Sequence, residues 1–200
     1  MFVKICGLTA PETAETAVGL GADAIGMVMS RTSVRRIDPG TVASIVEAVG
    51  DRAEKVLVVH DVPAREAALA AARLGVDVLQ MHGPYGREDF AEARKAFPRI
   101  WRATSLARDP EVRAGDWGEE LLLLDGARAG SGERWDITGL RGLELGERWL
   151  LAGGLDPDNV AEAIATVRPW GVDVSSGVES APGVKSVELI ERFIANARAA

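Results

Sequence analysis

The chain has 200 residues, 47% hydrophobic and 26% charged, which suits one domain with a full core spanning residues 1–200. Its net charge of −7 repels polyanions at a distance and argues against a nucleic-acid or anionic-membrane surface, while leaving room for a small phosphorylated ligand held locally. One cysteine can make neither an internal disulfide nor a cysteine-rich zinc site; with no secretory signal and no apolar run near the roughly 20 residues of a membrane span, a reducing cytoplasm is the expected setting.

Short β-branched or leucine-rich runs alternate with stretches of helical period, the pattern of parallel βα units. In chain order the expected strands are FVKIC (2–6), DAIGMVM (23–29), KVLVVH (55–60), DVLQMH (77–82), RIWRAT (99–104), ELLLLD (120–125), RWLLAGG (148–154) and GVDVSSG (171–177). Amphipathic stretches such as APETAETAVGLG, PAREAALAAARLG and DPDNVAEAIATV lie between them. Thr9 with Glu12 is expected to form a capping box around Pro11, and Asp156 before Pro157 a second helix start. Gly21 and Gly75 are expected to close their helices in the left-handed conformation. The stretches after strands five and six, ARDPEVRAGDWG and DITGLRGLELG, are glycine-broken and predict short or irregular helices. Eight parallel units favour closure into a (β/α)8 TIM barrel with minimal loops. The alternative, a doubly wound open sheet, leaves two edges to protect and wants a glycine fingerprint where CGLT stands.

In such a barrel catalytic groups sit at the carboxyl ends of the strands. Those ends carry Cys6, the segment through Arg35, His60 with Asp61, His82, Asp125, Gly153 with Gly154, and Ser175, Ser176 and Gly177; the opposite ends show no such set. The glycines and serines after strands seven and eight are suited to an anion cradle of backbone amides, and GSG at 130–132, with Gly132, adds a third loop nearby. Asp125 follows four leucines. A strand-end aspartate commonly caps a turn, but burial there would raise its pKa and keep a proton for general-acid work.

A lone buried cysteine is usually a small core residue. Lys4, however, shares the inward face of the first strand with Cys6, and its ammonium would favour the thiolate. An inward Lys4 needs a partner, and Asp173 has the matching parity on the strand that closes the barrel. Of Arg35 and Arg36, one is expected to point away while the other grips an acidic group of the ligand. His60 and His82 have no carboxylate at ligand spacing, so no metal is expected, and His82 is taken to shape the loop or touch ligand.

KICGLT, GADAIGMV, LQMHG, LLLLD, GSGERWD, LLAGGLDPDNV and VDVSSGVESAPGVKS resemble, in order and at barrel spacing, the motifs of the phosphoribosylanthranilate isomerase family of tryptophan biosynthesis. The resemblance covers nearly the whole chain. It implies an Amadori rearrangement in which Asp125 is the general acid that opens the ribose ring and Cys6 is the general base at C2'. It further implies that Arg35 faces the anthranilate carboxylate, that the loops holding Gly154 and Ser176 bind phosphate, and that no cofactor is used. The chain departs from the family at Trp135, Asp136 and Ile137, where phenylalanine, aspartate and tryptophan are usual, and at Met27, Val28 and Met29, where an aromatic residue is common. These departures bear on substrate packing and turnover rate.

Two other readings were weighed. The histidine-pathway and bisubstrate relatives carry an aspartate at the end of strand one and a second phosphate loop, whereas strand one here ends in Cys6. A paralogue that binds a phosphorylated ligand without turning it over has no need for both Cys6 and Asp125. A monomer is expected, with a homodimer as the alternative.

Overall fold

Eight short strands and the helices between them form the frame of the computed structural model, which describes residues 1–126 and 134–200. They run β1 (Phe2–Cys6), α1 (Pro11–Gly19), β2 (Ala24–Val28), α2 (Pro39–Val49), β3 (Glu54–Val59), α3 (Ala64–Leu74), β4 (Val78–His82), α4 (Arg87–Arg94) and β5 (Ile100–Thr104). There follow β6 (Leu121–Leu124), β7 (Trp149–Leu151), α5 (Val160–Val167), β8 (Gly171–Val174), a hairpin of β9 (Glu179–Ala181) and β10 (Val184–Lys185), and α6 (Val187–Ala199). Neighbours in the order β1 to β8 pair in parallel, and β8 returns to β1 with Lys4 opposite Asp173, which closes the barrel. The closed (β/α)8 topology is the one expected, and the open sheet is excluded.

The strands are apolar on both faces because both faces are covered. Val3, Ile5, Ile25, Leu57, Leu79 and Leu122 point outward into the layer shared with the helices. Ala24, Val56, Val78, Trp101, Leu121 and Leu150 fill the barrel interior. Gly26 belongs to that interior, where a Cβ would come within 2.6 Å of Cys6 Sγ and 3.1 Å of Lys4 Nζ; its lack of a side chain makes room for both.

Helix ends depart in two places from the sequence reading. No capping box forms at Thr9: α1 starts at Pro11 behind Ala10 with no side-chain cap, because proline presets the first helical φ and has no orphan N–H at that position to satisfy. Asp156 does accept hydrogen bonds from the N–H groups of Asp158 and Asn159 (2.8 and 3.0 Å), but in a turn that precedes α5. Gly75 is left-handed at the end of α3 (φ 68°), and Gly21 (φ 101°) lies just beyond Leu20, the last cap of α1.

The fifth and sixth units are irregular, as their glycines predict. Turns follow β5, and a 3-10 turn at Ile137–Leu140 follows β6. Where a helix would cover β5, the buried Arg102 pairs with Asp109 and lies 3.6 Å over the Trp117 ring.

The amino-terminal strand ends do carry a polar set, contrary to the sequence reading. Asp23 accepts the Val3 N–H at 2.7 Å, Asp77 accepts the Lys55 N–H at 2.9 Å, and Arg99 bridges Glu54 and Glu120 at 2.8 and 2.7 Å. The partners come from strands that lie side by side or two apart in the barrel.

Candidate active site

A cavity of about 360 Å³ opens at the carboxyl ends of the strands, lined among others by Cys6, Arg35, His82, Asp125, Gly153, Gly154, Ser175 and Ser176. The fold therefore brings most of the expected site residues around one space. Inside it, Lys4 is wholly buried and its Nζ lies 2.6 Å from Asp173 Oδ1, the pair expected from strand parity. Burial opposes the ammonium, but Asp173 and the nearby Cys6 outweigh it and hold the pKa of Lys4 above its ordinary value.

For Cys6 the balance goes the other way. Lys4 does pull the thiol pKa down, yet burial exceeds that pull, Asp173 adds to the burial effect, and the net shift is upward. The Lys4 ammonium thus favours the thiolate, as expected, but burial outweighs it and Cys6 is a thiol at neutral pH. Asp125 behaves as expected. It ends β6 with one oxygen accepting the N–H of Gly126 at 2.7 Å, and burial pushes its pKa up to about 6.

Gly153 faces Asp125 directly. A Cβ there would lie 2.6 Å from Asp125 Oδ1 and 2.8 Å from Trp135 Nε1, in a backbone at φ 87°, so only glycine fits. Trp135 packs beside Gly126 and Gly153 and donates its ring N–H to the Ala152 carbonyl at 3.0 Å.

Three expected ligand contacts are modified. Arg35 is at the cavity and Arg36 is exposed, but the Arg35 fork is not empty: Nε and Nη2 donate to the two carboxylate oxygens of Glu179 at 2.6 and 2.9 Å. Only its Nη1 end has no hydrogen-bond partner among the described residues. Gly177 is not among the cavity-lining residues; a Cβ there would overlap the Leu155 carbonyl, so its bareness lets the loop after β8 lie on the loop after β7. Ser175 both lines the cavity and donates its hydroxyl to the Cys6 carbonyl at 3.1 Å, tying the ends of β8 and β1 together.

His82 is half-buried, with its ring 6.1 Å from that of His60; burial first and His60 second pull its pKa down to about 4, so it is neutral. Among the described residues no group of three or more His, Cys, Asp or Glu side chains is placed to hold a metal ion. No helix among them is long and apolar enough to cross a membrane. Gly132, and the GSG loop with it, lies outside the described residues.

Sequence reasoning missed Glu179 and Lys185. Both stand in the GVESAPGVKS stretch, but no spacing announces that Glu179 meets an arginine 144 positions away. It also missed Gln80, a buried residue at the cavity wall whose Oε1 has no hydrogen-bond partner among the described residues.

Comparison with known proteins agrees with this geometry. A family model described as N-(5'-phosphoribosyl)anthranilate (PRA) isomerase matches residues 3–196. An N-(5'-phosphoribosyl)anthranilate isomerase of Rhodopseudomonas palustris (strain BisA53) is 40% identical over 209 residues, covering 98% of this chain and 95% of the relative. The crystal structure of TrpF from Jonesia denitrificans is similar at a TM-score of 0.92 and 50% identity, over 100% of this chain and 97% of that one. A phosphoribosyl anthranilate isomerase in complex with reduced 1-(o-carboxyphenylamino)-1-deoxyribulose 5-phosphate is similar at a TM-score of 0.88 and 32% identity, over 100% of both chains.

Proposed function

This chain belongs to the phosphoribosylanthranilate isomerase family, and from that premise we propose how its own residues perform the reaction of tryptophan biosynthesis, the isomerisation of N-(5-phosphoribosyl)anthranilate to 1-(2-carboxyphenylamino)-1-deoxyribulose 5-phosphate. Asp125 protonates the ribose ring oxygen. The C1'–O bond breaks as the nitrogen lone pair forms the Schiff base. Cys6, as thiolate, then removes the proton from C2', and the electron pair moves to nitrogen to give the enolamine. Loss of the hydroxyl proton and protonation at C1' complete the ketone. Hydrogen moves within one molecule and no electron leaves it, so the chemistry calls for no cofactor or metal.

The observation that carries this reading is the pairing of Cys6 with Asp125 around one cavity, the latter held near pH 6 by burial. Phosphate is assigned to the loops after β7 and β8. The amides of Gly154 and Ser176 donate to no backbone carbonyl among the described residues and are available to an anion. The Nη1 end of Arg35 is assigned to the substrate carboxylate, and His82, being neutral, to a hydrogen bond with the substrate.

The cytoplasm is the proposed setting, because a catalytic thiol must stay reduced. Residues 1–200 are read as a single catalytic unit. A monomer is sufficient, since every assigned residue comes from one chain.

The test follows the loss of substrate fluorescence, with phosphoribosylanthranilate generated in situ in the presence of a chelator. Wild type should turn over unchanged by chelation, while folded Cys6→Ala and Asp125→Asn each lose kcat by about 10²- to 10⁴-fold. Retention of kcat in either variant would remove that residue from the scheme.

A further inference from the structure

The surroundings of Arg35 go beyond what the reaction scheme uses. Its side chain passes over the end of β1, a path open only because Gly7 has no Cβ and holds φ at 76°; a Cβ there would overlap Arg35 Cδ. From the far side the hairpin reaches in with Glu179 on β9 and Lys185 on β10. Glu179 accepts both Arg35 bonds, a third from Lys185 Nζ at 2.7 Å and a fourth from the Gly183 N–H at 3.1 Å. Lys185 Nζ also donates to the Ser175 carbonyl at 2.8 Å, which fastens the hairpin to the rim of the cavity. The Glu179 and Lys185 side chains are only 4% and 2% exposed, so neither is a surface charge.

This arrangement solves two problems at once. An arginine on a surface loop samples many rotamers and presents its fork in no fixed direction, and a carboxylate that holds the fork also cancels its charge. Here the carboxylate takes the Nε–Nη2 side and a second buried cation stands behind it. The three groups together remain positive by one charge, facing an anionic substrate.

We propose that Glu179 and Lys185 are positioning residues that act through Arg35: Glu179 turns the Nη1 end of the guanidinium toward the cavity, and Lys185 keeps the cluster cationic, so together they set the preference for an aromatic carboxylate. This rests on the assignment of Arg35 to the substrate carboxylate. The hydrogen bonds from Arg35 and Lys185 outweigh the burial of Glu179 and hold its pKa down to about 2, so Glu179 stays ionised at neutral pH, while burial pulls the Lys185 pKa below its ordinary value against the pull of Glu179.

Binding of two ligands by calorimetry tests it: the reduced product analogue with its carboxylate, and the same molecule with an unsubstituted phenyl ring. Their affinity ratio cancels any change in the active fraction, which a merely structural role would alter. Wild type should favour the carboxylate ligand by at least about tenfold. The ratio should collapse in Arg35→Met, fall several-fold in Glu179→Gln and Lys185→Met, and fall no further when Glu179→Gln is added to Arg35→Met. Glu179→Asp keeps the charge and loses reach, and should recover part of the ratio; with Lys185→Met it keeps the test decisive if Glu179→Gln does not fold. A ratio lost in Arg35→Met but intact in the clamp variants overturns the positioning role alone. A ratio intact in Arg35→Met overturns the Arg35 assignment and this proposal with it.

Discussion

At the amino-terminal end of the barrel Arg99 is held between Glu54 and Glu120, Asp23 takes both the Val3 amide and Arg198, and Asp77 takes both the amide and the ammonium of Lys55. At the carboxyl-terminal end, Asp125 is pushed up to about 6, Cys6 is pushed up and His82 is pulled down to about 4, each chiefly by burial. The same eight strands therefore end in charges that protein partners stabilise below; above, such pairs, Lys4 with Asp173 and Glu179 with Arg35 and Lys185, stand beside groups held away from their favoured ionisation. Pairing of neighbouring strands supplies partners at one end. At the other, burial of Asp125, Cys6 and His82 exceeds what their polar neighbours return.

The largest effect should come from forcing the upper groups through their titrations. The working form needs Asp125 protonated and Cys6 ionised, but the carboxyl pKa lies below the thiol pKa. That form is then a minor one whose share is level between the two values and falls about tenfold per pH unit outside them. We expect kcat/KM to be flat from about pH 6 to above the ordinary thiol range, with the acid limb belonging to Asp125 and the alkaline limb to Cys6. A rate that climbs tenfold per unit between pH 6 and 8 would show that Asp125 is not the proton donor.

The same shift has a sign for stability. Folding raises the Asp125 pKa from about 3.9 in the unfolded chain to about 6, so the folded state binds the proton more tightly. Its contribution is complete below pH 4 and is lost as pH rises through about 6. Above that the folded protein carries a charge its surroundings disfavour. Asp125→Asn should therefore be more stable than wild type at pH 8, by up to about 3 kcal/mol, with the gain gone near pH 4. Urea titrations at the two pH values give the sign; a variant less stable at pH 8 would mean the carboxylate is well compensated, and the contrast between the two ends would fail. Gly7→Ala should cost about 1–2 kcal/mol through its positive φ and raise KM by displacing Arg35, while a KM equal to wild type would show that the Arg35 path is not fixed.

What could be read beforehand followed from local periodicity. The two-residue strand repeat put Lys4 and Asp173 on the inner face, and the run of leucines placed Asp125 at a strand mouth. Glycine-broken stretches marked the two units that have no α-helix among the described residues. The unread features all depend on groups brought together across the barrel. Glu179 meets Arg35 only once the hairpin folds over Gly7, Arg99 gathers glutamates from two other strands, and the Cys6 thiol feels an enclosure that no stretch around residue 6 encodes. Gly177 is a related case: a glycine in a rim loop can serve a ligand, a neighbouring loop or both, and the closeness of the Leu155 carbonyl, which shows the second role, was not legible in the sequence.

The smallest effect should be at the lower end, and its smallness is informative. Arg99 keeps 38% of its side chain exposed, so solvent screens both of its pairs, and Arg99→Leu should cost about 1 kcal/mol. The loss combines two bonds with the repulsion of the two glutamates it leaves facing one another. Glu120 has its pKa lowered chiefly by the hydrogen bond from Arg99, so this contribution is present above the unfolded glutamate value and disappears as pH falls through the folded one. The difference between wild type and variant should then shrink in acid, as the gain from removing the Asp125 charge also does, but with the opposite sign: at neutral pH Arg99→Leu is the less stable protein and Asp125→Asn the more stable one. It should also shrink at high salt. kcat and KM should not move, because the ion network and the cavity lie at opposite ends of the same strands with the packed layer of Val56, Val78, Trp101, Leu121 and Leu150 between them. A change in kcat on Arg99→Leu would mean that this layer transmits strain along the barrel, and that the two ends are not independent in the way their charges suggest.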